Sequence, residues 1–179
     1  MKNDTNMYNK RDKKIPQIIS GVLLNIVSFS IYADTLYKTA TCEFSASFPI
    51  KTEETITYYP NVGEIKILAA FNEKLGYFLR AECAPKALNQ LNSKSDYYKI
   101  GNEYIDYNGI EKAQMSLIHN KGWPQLDIKG YKKLDKDIVT YRIVINFGKS
   151  SILTQYAGGF SNSYPQDDLL KFINSITKK

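Results

Sequence analysis

Histidine occurs once in these 179 residues, tryptophan once and cysteine twice. This scarcity narrows the chemistry. A metal centre needs His, Cys or carboxylates clustered at helix or turn spacing, and so few His and Cys leave only acidic side chains. Asp135 and Asp137 flank a Lys, with no Gly and no distal Glu, which excludes an EF-type calcium loop. His119 sits in a polar context, and no Ser has nucleophile-elbow glycines beside it, so triad chemistry has no frame. Glu53-Glu54 and Asp167-Asp168 are paired carboxylates, but neighbours in sequence seldom oppose each other across a glycoside. Gly158-Gly159 lacks the Lys and the Ser or Thr of a phosphate loop. The reading is a chain that is not an enzyme and takes no metal or cofactor. An enzyme working through Asp135, Asp137 or His119 would need those side chains to converge in a cleft.

Charge of one sign is also missing. The chain is +6 overall, but residues 1–33 hold five basic and two acidic residues, which leaves 19 basic against 16 acidic beyond them. Mixed so evenly, these charges read as a solvated surface, and no nucleic-acid partner is expected. The one long apolar run is near the N-terminus. Lys10-Arg11-Asp12-Lys13-Lys14 precedes an apolar core at Ile18–Val27, and Ser30-Ile31-Tyr32-Ala33 supplies the small residue wanted before a cut. Ser20, Asn25, Ser28 and Ser30 make this a poor permanent span. Residues 1–33 are therefore expected to be a signal peptide cleaved after Ala33. Residues 34–179 would form one periplasmic or secreted domain with no transmembrane segment.

Both cysteines fall in that domain. An oxidising compartment would let Cys42 and Cys83 pair, closing about 40 residues and stabilising by roughly 4 kcal/mol in the chain-entropy model. Cys42 does not directly follow the apolar run, as a lipidated cysteine would, and a catalytic thiol would need a His partner.

What is abundant is β-branched and aromatic residues, including 14 Tyr. Ile138–Tyr156 reads as a long antiparallel hairpin about Gly148-Lys149, with Val139, Tyr141, Ile143 and Ile145 on one face and Thr140, Arg142, Val144 and Asn146 on the other. Gly158-Gly159 is expected to break the chain after it. Strands are also predicted at Thr39–Phe48, Thr55–Tyr59, Glu64–Phe71, Tyr77–Cys83 and Leu126–Lys132, the last entered through a turn at Gly122-Trp123-Pro124. Pro85–Leu91 reads as the start of a helix. Ile100, Tyr104 and Tyr107 fit one helical face, and Ile110, Ala113 and Leu117 a second short helix. The closing helix has a capping box from Ser163 to Gln166, Asp167 and Asp168 in its first turn, the stripe Leu169, Phe172, Ile173 and Ile176, and Lys178-Lys179 at its end.

Tyr97, Tyr98, Tyr104, Tyr107 and Trp123 are the candidate partner-binding residues, since exposed Tyr and Trp bring large area at low entropy cost. The alternative is that these rings pack onto the sheet from a helical layer.

The order of elements, with Phe44-Ser45-Ala46-Ser47-Phe48-Pro49, Gly122-Trp123-Pro124, Tyr141-Arg142-Ile143-Val144, Ile152-Leu153-Thr154 and Phe172-Ile173-Asn174-Ser175, resembles the PsbP-like family and the DcrB-type envelope proteins of bacteria. The resemblance implies an α+β fold, an antiparallel sheet with helices packed on it as an α/β/α sandwich. It implies a non-catalytic accessory domain that binds another envelope or secreted protein, with no shared active site. The chain departs from the pattern in lacking a lipoprotein cysteine, in its long middle section and in its Cys pair. The alternative function is an immunity or inhibitor protein that neutralises a periplasmic toxin.

Overall fold

The computed structural model describes residues 35–59, 62–86, 91, 93–120, 122–161, 164 and 167–179. In chain order the elements are β1 (Thr35–Tyr37), β2 (Phe44–Phe48), β3 (Glu53–Tyr59), β4 (Gly63–Asn72), β5 (Tyr77–Pro85), α1 (Lys94–Asn108), β6 (Glu111–Asn120), β7 (Trp123–Leu134), β8 (Asp137–Phe147), β9 (Ser151–Phe160), α2 (Asp167–Asn174) and β10 (Thr177–Lys178). Seven strands form one antiparallel sheet in the order β3-β4-β5-β9-β8-β7-β6. β1, β2 and β10 form a second, small sheet centred on β2. The chain is thus α+β, mostly antiparallel strand, with two helices among the described residues.

The β8–β9 hairpin lies near the middle of the large sheet, and its period of two is realised. Val139, Tyr141, Ile143 and Ile145 join the core under α1, whereas Val144 joins the core shared with α2 and the small sheet. Both faces of β8 are covered, so its buried residues run almost without a break from Val139 to Phe147. On the second face Phe48 meets Phe172 at 4.6 Å between ring centroids, and Phe44 meets Trp123 at 5.4 Å. Ser175 Oγ accepts from the Ser47 backbone N–H at 2.8 Å, which ties the end of α2 to β2.

α1 is set by its ends. Ser93 Oγ accepts from the Asp96 N–H while Asp96 Oδ2 accepts from the Ser93 N–H, a capping box with Asp at the third position. Gly109 closes it in the left-handed conformation, φ 63°. Gly101 lets the helix sit close to the sheet: a Cβ there would stand 2.6 Å from both Leu126 Cδ2 and Met115 Sδ.

Several expectations are corrected. The short helix expected of Ile110, Ala113 and Leu117 is absent: Ile110 precedes β6, and Ala113 and Leu117 lie in that strand. Ala113, Met115 and Leu117 turn toward α1 and Gln114 and Ser116 toward solvent, so the i, i+4 pair Ala113/Leu117 obeyed a period of two. Gly158-Gly159 does not break the chain but continues β9; the Phe78 ring lies across Gly158, 2.6 Å from where a Cβ would be. The strand expected from Thr39 begins only at Phe44, so Cys42 sits in the loop before β2. Its disulfide to Cys83 on β5, Cα to Cα 6.0 Å, therefore ties the small sheet's layer to the large sheet instead of opening a strand. The last helix ends at Asn174, and Thr177–Lys178 pairs with β2. The leader, most of the expected helix at Pro85–Leu91 and the capping positions Ser163 and Gln166 lie outside the described residues. Among the described residues, no helix is long and apolar enough to cross a membrane.

Candidate binding surface

The five aromatic candidates do not form one surface. Trp123 is 5% exposed and lies on the α2 side, where its Nε1–H donates to Asn146 Oδ1 at 3.1 Å. The four tyrosines are on α1, across the sheet. Tyr97 packs edge-on against Phe147 at 4.7 Å, and Tyr98 is half-buried with the Lys94 ammonium over its ring at 5.7 Å. The Tyr104 hydroxyl meets Thr154 Oγ1 at 3.0 Å beneath the helix. These rings mainly hold α1 to the sheet. Tyr107, in the last turn, is 59% exposed and is the one left to solvent.

On the same face of the sheet as α1, a polar cluster draws its residues from three strands, β3, β5 and β9. Tyr156 Oη donates to Glu82 Oε1 at 2.6 Å, and Arg80 Nη2 donates to Glu82 Oε2 at 2.5 Å. The guanidinium also lies 5.1 Å from the centroid of the Tyr156 ring, and its charge acts on Tyr59. Tyr107 is close enough to Tyr59 to act on it electrostatically. Arg80 Nε is buried and, among the described residues, has no hydrogen-bond partner.

Burial is the main cause that raises the Tyr156 phenol well above its ordinary value, reinforced by Tyr104 and the Glu82 charge. Burial, then Glu82, pushes Tyr104 up to about 12, and the same two causes raise Tyr59. Burial alone would lower Arg80, but Glu82 and the surrounding phenols outweigh it and raise it further. Tyr59, Tyr104 and Tyr156 therefore keep their phenol protons well past neutral pH.

Sequence reasoning passed over Arg80, Glu82, Tyr59 and Tyr156. A signal was present: in Tyr77–Cys83 the charged residues occupy alternate positions between Leu79, Ala81 and Cys83, so one face of that strand had to be polar. The residues of the enzymatic alternative do not converge. His119 pairs with Pro124 at one end of β7, whereas Asp135 and Asp137 flank its other end at Leu134. Asp168 accepts from Tyr77 Oη at 2.6 Å, a structural use of the helix-start carboxylate. Among the described residues, no group of three or more His, Cys, Asp or Glu could hold a metal ion.

No family model matches the chain, and no curated protein matches it. The crystal structure of a Pseudomonas aeruginosa protein of unknown function is similar over 75% of this chain and 88% of its own, with 11% identity and a TM-score of 0.41.

Proposed function

We propose that this chain is a non-catalytic domain, exported to the periplasm or secreted, that binds another envelope or secreted protein through the tyrosine surface at the end of α1. The observation that carries the reading is Tyr107, 59% exposed in the last turn of α1 and near enough to Tyr59 to act on it electrostatically. An exposed tyrosine brings large area at low entropy cost when a partner covers it. The Cys42–Cys83 bridge supports an oxidising compartment, and with it a leader cleaved after Ala33. The layering of α1, the large sheet, and α2 with the small sheet is read as a PsbP-like sandwich.

The test is capture of partners from the periplasmic fraction on the tagged protein, with mass spectrometry under non-reducing conditions. A stoichiometric partner is expected with wild type and is expected to be lost with Tyr107→Ala. A captured toxin would turn the reading to the immunity alternative. An empty capture, or one indifferent to Tyr107, would overturn it.

A further inference from the structure

The two edges of the large sheet are built differently. β6 is guarded: its register slips between Glu111 and Gln114, Lys112 takes a positive φ of 47°, and α1 packs against the strand. A bulge, a charged residue and a covering helix are the devices that keep an edge from pairing further. β3 has neither a bulge nor a packed helix among the described residues, and its two charges, Glu53 and Glu54, stand together at one end. Its register with β4 is unbroken from Glu53 to Tyr59, its sequence EETITYY holds no Lys and no Pro, and among the described residues no strand pairs with its outer side. Ile56 and Tyr58, 61% and 72% exposed, project from it on the α2 side of the sheet.

Only extended backbone offers N–H and C=O groups at the spacing of an open strand edge. We propose that the occupant is β3 of a second copy, paired antiparallel about a two-fold axis at Ile56. In that register Ile56 faces Ile56 and Thr55 faces Thr57 of the second copy. Glu54 faces Tyr58, and Glu53 faces Tyr59. Ile–Ile and Thr–Thr are favourable cross-strand pairs, and no like charges stand opposite one another. Glu54 is already paired with Lys66 at 2.5 Å within its own chain. An even register also keeps each side chain on its own face, so the exposed Ile56 of both copies cover each other and the two sheets become one. The two surfaces share β3, but Ile56 projects from the face opposite Tyr59, so Ile56 variants test self-association separately from Tyr107→Ala.

Sedimentation of the purified protein, disulfide intact, over a wide concentration range tests this. A monomer–dimer equilibrium is expected. Ile56→Lys and Ile56→Glu should each weaken it by at least about tenfold, because each sets a charge against itself. An equimolar mixture of the two should regain the dimer. Ile118→Lys on the β6 edge should leave it unchanged. Ile56→Cys gives a readout that needs no charge, since opposed Cβ atoms lie within reach of an intermolecular disulfide. A protein that is monomeric throughout would overturn the proposal, even if the edge captures a strand of a different protein. So would a dimer indifferent to position 56, a mixture that stays monomeric, or an Ile56→Cys protein that never cross-links between copies.

Discussion

Glu82 takes two hydrogen bonds at once, from Tyr156 Oη at 2.6 Å across the β5–β9 pairing and from Arg80 Nη2 at 2.5 Å on its own strand. Tyr156→Phe keeps the ring and removes one of them. The expected loss is about 1–3 kcal/mol of stability, because a half-buried carboxylate gives up a strong donor. Glu82→Ala, which leaves the Arg80 charge without its partner, should cost more, about 3 kcal/mol or above. Urea unfolding of both variants checks the order; a Tyr156→Phe protein as stable as wild type would show that the cluster contributes nothing.

A second network lies on the other face. Asn146 is fully buried, and its Oδ1 accepts from Trp123 Nε1–H at 3.1 Å and from Gln125 Nε2–H at 2.8 Å. Asn146→Ala removes the acceptor that the buried Trp123 donor and Gln125 Nε2 share, so a loss of about 2 kcal/mol or more is expected. The single Trp reports it directly. Its fluorescence should change with Asn146→Ala and hardly at all with Tyr107→Ala on the opposite face.

The disulfide joins positions 41 apart in sequence, and removing it with the double variant Cys42→Ser, Cys83→Ser should cost roughly 4 kcal/mol. The loss should not be uniform. Hydrogen exchange is expected to rise most in β1 and β2, which the bridge anchors, and least in β8, which lies between two cores. An even rise would refute the anchoring role.

Two pH dependences follow from the charges. Burial alone would raise the Glu43 carboxyl, but the backbone N–H groups of Ser150, Lys149 and Ser151 and the Lys178 ammonium together hold it below 4.5. The folded state thus binds fewer protons there than the unfolded chain. That contribution is complete above pH 4.5 and is lost as the pH falls through the lower folded value. Glu43→Gln should flatten the acid limb of the stability curve.

At the other end of the scale, burial and the Asp168 hydrogen bond push Tyr77 up to about 12 from 10.0, and burial pushes Tyr104 to a similar value. The folded state holds these protons after the unfolded chain has released them. Stability should fall as the pH climbs from 10 toward 12. Tyr77→Phe should reduce that slope by up to about 1.4 kcal/mol per pH unit. A wild-type slope unchanged by this substitution would argue against it.

Where one local period ruled a segment, the sequence was legible. The alternation in Ile138–Tyr156 predicted both faces of β8 and the hairpin to β9, and the spacing of Ile100 and Tyr104 predicted part of α1. Ala113 and Leu117 misled because a spacing of four satisfies both a helix and a strand, and only the neighbouring α1 and β7 select the strand. Gly158-Gly159 reads as a break unless one knows that Phe78 lies across it.

The sequence by itself determined the strand-rich class, the hairpin at the centre of the sheet and the presence of two cysteines to pair. Only the tertiary structure decided which surface the aromatics make. Trp123 and Tyr104 differ in which side of one sheet they meet, a matter of pairing register that no local window contains. The Glu82–Tyr156 contact spans 74 residues, and it exists because β5 and β9, far apart in the chain, share a ladder.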